Sequence, residues 1–315
     1  MLYQLSYSHR QERDTQYRPA GSGGQQDEPA RRGQGCQMPR EWGNLEATGR
    51  TKKETSMRPW KLAETNYGEL RNQAVEVAVL PLGAIEPHNL HLPYGMDVLE
   101  ADAIGEAICE AAWQKGARVI LLPTIPYGTQ TNQRQFPLAL NLNPSTLNLV
   151  VTDLVESLVQ SGIRKIVLLN SHGGNELKGL LRELYGRTPA KLFLCNWYQA
   201  FDDVSGEIFH EADDHAGEME TSLALAFWPE LVARNADGTL TADEGRKAVS
   251  RFDAVHRGWV SLARPWHLLT TNTGAGNPHA ATAEKGRRLM DVLVQRLGQF
   301  LIELSAATLD ERFPY

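Results

Sequence analysis

The chain has 315 residues, 42% of them hydrophobic and 22% charged, with a formal net charge of -6. That length allows one large core or two smaller ones, and the mildly acidic balance gives no electrostatic footprint for a nucleic-acid partner. No apolar run approaches the ~18 residues of a membrane span, no secretory signal opens the chain, and Cys36, Cys109 and Cys195 are too scattered for a disulfide frame or a CxxC metal site. These exclusions point to a soluble cytoplasmic protein.

Residues 1–56 differ from the rest. Ser6 to Lys53 is rich in Gln, Arg, Gly, Glu and Ser and has almost no apolar periodicity. Such a stretch buries too little surface to offset the entropy of ordering, so it reads as disordered. Met57 opens a conventional sequence, and the extension also reads as a mis-called start; mass spectrometry of the native N-terminus checks this. Residues 57–315 contain no internal repeat and no linker, which makes them one domain.

Four short apolar runs follow in order. Val75 to Leu80 is closed by Pro81 and Gly83, Arg118 to Leu122 by Pro123, Lys165 to Leu169 by Asn170, and Lys191 to Cys195 by Asn196. Nearly continuous apolar runs of about five residues are expected of strands buried on both faces. Between them, Asp97 to Lys115, Pro144 to Ser161 and Asn175 to Arg187 have helical spacing. A helix is expected from the acidic cluster at 213–222 through Phe227. Gly274 to Gly276 reads as a turn before a last amphipathic helix capped by Thr282. Strands alternating with helices predict an α/β domain with three layers, α/β/α, around a mostly parallel sheet. In such sheets ligands bind beyond the carboxyl ends of the strands.

Three strand ends carry chemistry. Past the first lies Gly83-Ala-Ile-Glu86-Pro-His88-Asn-Leu-His91-Leu-Pro-Tyr-Gly-Met-Asp97. Glu86 and His88 are two apart and point the same way if the segment is extended. Asp97 starts a helix, where an acid is also a possible cap. Past the third strand lies Asn170-Ser171-His172-Gly173-Gly174-Asn175, whose glycines allow tight turning and close backbone approach. This segment is neither a GxSxG nucleophile elbow nor a GxGxxG or Walker phosphate loop. The third cluster, Asp213 to Ser222, holds four carboxylates and His215. The helix dipole explains some of these acids. It does not explain Glu220, which falls on an apolar helix face with Ala216, Ala224 and Phe227, where a carboxylate needs a charged partner or a metal. Carboxylates and imidazoles without thiolates suit Zn, Mn or Fe(II). One or two such ions with an open position for water support hydrolytic chemistry without an organic cofactor.

Taken together, LPLGAIEPHNLHLPYGMD, NSHGGN, HAGEMETS and Thr282-Ala-Glu-Lys-Gly286 resemble the creatininase family over roughly residues 60–305. The resemblance implies an α/β/α domain, a dinuclear Zn, Mn or Fe centre, hydrolysis of a cyclic or formyl amide by metal-activated hydroxide, and a homo-oligomer, often a hexamer. It places metal ligands on Glu86, His88, Asp97 (bridging), His172 and Glu220. Proton transfer falls to His215, or to Glu220 if one ion is bound. Three departures stand out. Creatininase has a glutamate ligand two places after the second-motif histidine, where this chain has Gly174. The loop Tyr127 to Phe136 lacks the Ser-x-Glu-His pattern, and Glu-Pro-His-Asn replaces Glu-Gln-His-Gly. The last variant resembles a subgroup that opens oxidised inositols, and Gln130, Asn132, Gln133 and Arg134 would suit such a polyhydroxy substrate. That makes a ring-opening hydrolase or isomerase of a cyclic polyol the alternative. A non-enzymatic binding module would show wider loss of ligands than the one position at Gly174.

Overall fold

The four apolar runs form one parallel sheet. In a computed structural model describing residues 57–211 and 213–315, β1 (Val77–Leu82), β2 (Val119–Leu121), β3 (Lys165–Asn170) and β4 (Lys191–Asn196) lie in the order β2-β1-β3-β4. Every neighbouring pair is parallel. The described residues belong to one compact unit, Thr55–Tyr315. The extension expected for residues 1–56 lies outside the described residues.

Helices cover both faces. They are α1 (Met96–Gln114), α2 (Pro144–Gln160), α3 (Lys178–Leu184), α4 (Glu218–Phe227) and α5 (Ala283–Ala306). Strand residues alternate between the two sides, as the period-two pleat requires. Val77 and Val79 pack with Met96 and Ile104 of α1 and with Leu289 and Leu293 of α5. Ala78, Leu80 and Leu82 pack with Leu147, Val151 and Val155 of α2 and with Leu180 of α3. Each fully buried Leu or Val contributes about 1.5–3 kcal/mol, so burial from both sides holds the layers together. The α/β/α architecture read from the sequence is therefore the one observed. Among the described residues no helix is long and apolar enough to cross a membrane.

Local signals set several ends. Pro144 occupies the first turn of α2, where its missing N–H costs nothing. The Thr282 hydroxyl accepts from the Lys285 N–H and caps α5. Other ends moved. Pro81 does not close β1; the strand continues through it to Leu82. The Pro81 carbonyl accepts from Ile125 on the β2 side. Its nitrogen faces that same side, where β2 has already ended at Leu121 and no ladder bond is lost. α3 starts three residues late because the Asn175 side chain is engaged elsewhere, accepting from the Thr129 N–H and donating to Asn170 Oδ1. Residues 213–215 are not helical. Asp213–His215 forms β5, antiparallel to β6 (Ala275–Gly276), which the sequence read as a turn. That pairing is long-range, so neither local pattern announced it.

Candidate metal centre

All six candidate residues converge beyond the carboxyl ends of β1 and β3. Glu86 and His88 lie in the loop after β1, Asp97 in the first turn of α1, His172 after β3, His215 at the end of β5, and Glu220 in the first turn of α4. All are buried. Asp97 is not a cap: α1 starts after Gly95 with no side-chain cap bond, and the Asp97 carboxylate turns inward. Two of the three-donor groups here share it. Glu86, Asp97 and His172 form one; His88, Asp97 and Glu220 form the other. A third group joins Glu86, His88 and His215.

The imidazoles are fixed from outside. His88 Nδ1 lies 2.9 Å from the Glu86 carbonyl, His172 Nε2 3.0 Å from the Thr129 carbonyl, and His215 Nε2 2.9 Å from the Pro87 carbonyl. A carbonyl only accepts, so each of these nitrogens carries the proton and donates. The other nitrogen of each ring then faces carboxylates. His172 Nδ1 lies 3.2 Å from Glu86 Oε1 and 3.1 Å from Asp97 Oδ2. His88 Nε2 lies 3.3 Å from Asp97 Oδ1 and 3.8 Å from Glu220 Oε1. His215 Nδ1 lies 3.6 Å from Glu86 Oε1. An outer N–H on a backbone carbonyl with the inner nitrogen presented to a cluster is the usual support of a ligating histidine.

Without an ion, protons must fill the same space. Burial alone would lower the His88 pKa, but Asp97, then Glu220 and Glu86, raise it to about 10. Burial likewise opposes a charged His172, and Glu86 and Asp97 outweigh it, lifting it well above the ordinary value. Burial pushes the Asp97 and Glu86 carboxyls up; the facing histidines, His172 first, hold both below their usual values. One atom is left over. Asp97 Oδ2 is buried and makes no hydrogen bond, although His172 Nδ1 is 3.1 Å away. An acceptor that close but misaligned for a proton fits a divalent cation, as does the carboxylate and imidazole donor set.

Glu220 explains why a carboxylate sits at this helix start. Its Oε2 accepts from the N–H of Ala216, a residue in the left-handed conformation with φ 52°. Its Oε1 turns to His88. The helix-terminus reading of the acids therefore holds for one oxygen and fails for the other. The cluster's other acids lie outside the three donor groups. Asp213 Oδ2 accepts from the Met219 N–H, Asp214 pairs with Lys247 and Arg264, and Glu218 pairs with Lys285. His91 also stays out of the centre; its Nε2 meets the Thr221 hydroxyl at 2.7 Å.

Three supports have roles that the sequence did not give; Gln133 was expected to meet substrate, and Glu100 carried no expectation. Gln133, on the loop over the site, donates its amide N–H to Glu86 Oε2. Glu100 is fully buried, and burial, then Glu220 and Asp97, raises its pKa well above the usual carboxylate range; its three-residue spacing from Asp97 on α1 was the available signal. Trp197 Nε1 donates to Ser171 Oγ at 2.8 Å. A cavity of about 500 Å³ opens over the centre, with Trp197, Tyr198 and Phe209 among its walls. The polar loop differs from expectation as well. Gln130 is fully buried, and its amide N–H groups go to the Ile85 and Leu140 carbonyls, so it holds the loop and cannot meet a substrate.

The Creatininase family, described as creatinine amidohydrolase, matches residues 61–301. The chain belongs to the creatininase family. A solved structure from Bacteroides fragilis, provisionally named a creatinine amidohydrolase, superposes with a TM-score of 0.72 at 34% identity, covering 80% of this chain and 98% of that one. The creatinine amidohydrolase of Pseudomonas putida is 28% identical over 72% of this chain and 89% of its own. A mycofactocin precursor peptide peptidase from Mycobacterium ulcerans is 28% identical over 69% and 80%. A 3-dehydro-scyllo-inosose hydrolase from Thermotoga maritima is 24% identical over 51% and 53%. These relatives are hydrolases, and the chain is a creatininase-family hydrolase with a site suited to a divalent metal. Gly174 departs from the creatininase pattern for a visible reason. A Cβ there would lie 2.1 Å from the Thr129 carbonyl oxygen and 2.4 Å from His172 Nε2, so no side chain fits. At Gly173 a Cβ would meet nothing within 4 Å.

Proposed function

We propose that the protein is a metal-dependent amidohydrolase opening a cyclic amide or a related ring carbonyl compound. Glu86, His88, Asp97, His172 and Glu220 would hold the ions. The observation that carries this reading is Asp97, common to two three-donor groups, with a buried oxygen outside hydrogen-bond geometry. Two groups sharing one carboxylate suit two ions, and the donor set suits Zn, Mn or Fe(II). When bound, a divalent ion supplies a Lewis acid for a carbonyl oxygen and acidifies a water near neutral pH.

The chain's own groups do the rest. His215 keeps its Nε2 proton on the Pro87 carbonyl, so Nδ1 is the nitrogen free to take a proton and pass it to the leaving group. Its ring is held against His88, centroids 4.3 Å apart, and by the edge of Trp266 at 5.6 Å. If one ion is bound, Glu220 is the alternative proton carrier. A cavity of about 500 Å³ admits a small ring or the end of a peptide. The inosose hydrolase relative favours a second reading, ring opening of an oxidised cyclic polyol; the engagement of Gln130 with backbone removes part of its support. The resemblance further suggests a cytoplasmic homo-oligomer, up to a hexamer, acting on a small molecule and not on nucleic acid or membrane.

The test is metal content and product mass. Asp97→Ala is expected to lose both ions and all turnover, His172→Ala and Glu220→Ala one ion each, measured by elemental analysis of purified protein. Hydrolysis of creatinine or another cyclic amide adds one water to the product; isomerisation adds none. Full metal occupancy in Asp97→Ala would overturn the ligand assignment.

A further inference from the structure

One loop, residues 128–142, touches both ligands, Glu86 and His172, that the first three-donor group does not have in common with the second. Its Thr129 carbonyl accepts from His172 Nε2 at 3.0 Å. Its Gln133 donates an amide N–H to Glu86 Oε2. The loop is itself pinned, by Gln130 to the Ile85 and Leu140 carbonyls and by Asn175 to the Thr129 N–H. Gln133 is 3% exposed, and its Oε1 is buried with no partner among the described residues. The amide is therefore not spent on holding the loop; its one polar side-chain bond is to Glu86. The orientation is fixed by charge, since turning the amide over would set its carbonyl against a carboxylate.

The consequence falls on Glu86. Its Oε1 faces His172 at 3.2 Å and His215 at 3.6 Å, while Oε2 is taken by Gln133. We infer that Gln133 is a positioning residue that makes Glu86 a one-oxygen ligand and aims that oxygen at the ion held with Asp97 and His172. The inference rests on the metal reading above. It matters more in this chain because Gly174 has no room for a side chain, so an ion held by Glu86, Asp97 and His172 would gain no fourth protein ligand from that position. The other ion is supported elsewhere: His88 by the Glu86 carbonyl and Glu220 by the Ala216 N–H. Loss of Gln133 should therefore act on one ion only.

The test is Gln133→Met, which keeps length and bulk and removes the donor. Zn²⁺ or Mn²⁺ alone is titrated into metal-free wild-type and variant protein by calorimetry, with urea midpoints measured alongside. The expected result is one binding step weakened about 10- to 100-fold, the range for loss of an outer-shell partner, with the second step and the metal-free midpoint little changed. Gln133→Glu, an isostere that sets a second carboxylate against Glu86, should weaken the same step at least as much. Wild-type affinity for both ions in Gln133→Met overturns the inference, as does an equal weakening of both steps together with a lowered midpoint, which marks a structural role. Wild-type protein that binds neither ion overturns the metal reading, and this inference with it.

Discussion

Restoring a side chain at Gly174 is the sharpest perturbation of this centre. In Gly174→Ala the new Cβ would stand 2.1 Å from the Thr129 oxygen and 2.4 Å from His172 Nε2. Neither neighbour yields easily. Thr129 is backbone in a loop held by Asn175 and Gln130, and the His172 ring is bonded to that same oxygen. Overpacking of this kind costs about 1–3 kcal/mol, and loss of the His172–Thr129 hydrogen bond adds about 1 kcal/mol. The expected total of about 2–4 kcal/mol lowers Tm by roughly 5–15 °C for a domain of this size. Thermal unfolding of metal-free protein measures it, and metal titration of the same samples should show weaker binding at the His172 ion. Gly174→Glu, which carries the acid that creatininase has there, should fare no better, because the obstacle is the Cβ and not the carboxylate. A Gly174→Ala protein with unchanged Tm and unchanged metal affinity would refute the close packing argued for this turn.

Two further outcomes follow from the charges. His88, raised to about 10, and His172, also raised, hold protons at neutral pH in metal-free protein; an ion displaces one from each ring. Binding should release about two protons near pH 7, with apparent affinity rising with pH, seen as a dependence of calorimetric heat on buffer ionisation enthalpy; no such dependence would contradict the protonated apo centre. The sign for stability is opposite: a folded pKa raised above the ordinary 6.5 means that His88's contribution to metal-free protein is present below about pH 6.5 and is lost as pH rises through about 10. At the other end of the sheet, Lys165 is buried at the start of β3, and its ammonium donates to the Ser305 and Ala307 carbonyls and pairs with Glu76. Lys165→Met should cost about 2–4 kcal/mol in urea denaturation by leaving the Ser305 and Ala307 carbonyls without this donor, with metal affinity unchanged; a parallel loss of metal would contradict the separation of the two ends.

Much of this molecule was legible in the residues. Strands buried on both faces declare themselves as aliphatic runs, because both sides of the pleat need apolar side chains, and each of the four runs became a strand. That these side chains would gather was legible for a related reason: Glu, His and Asp placed just past a buried strand have no bland account as a group, whatever each does alone. Capping chemistry at Pro144 and Thr282 is local and was read correctly.

The rest depends on contacts far apart in sequence. The pairing of β5 with β6 joins residues some sixty apart, and no local pattern announces a two-residue strand. The division of Glu220 between a backbone N–H and His88, the turn of Gln133 onto Glu86, and the withdrawal of Gln130 from any substrate all depend on how one loop lies over two strand ends. Sequence alone named the donors around Asp97 because their chemistry is costly to bury without purpose. Only the folded chain could place the two donor groups around one carboxylate and show why position 174 carries no side chain.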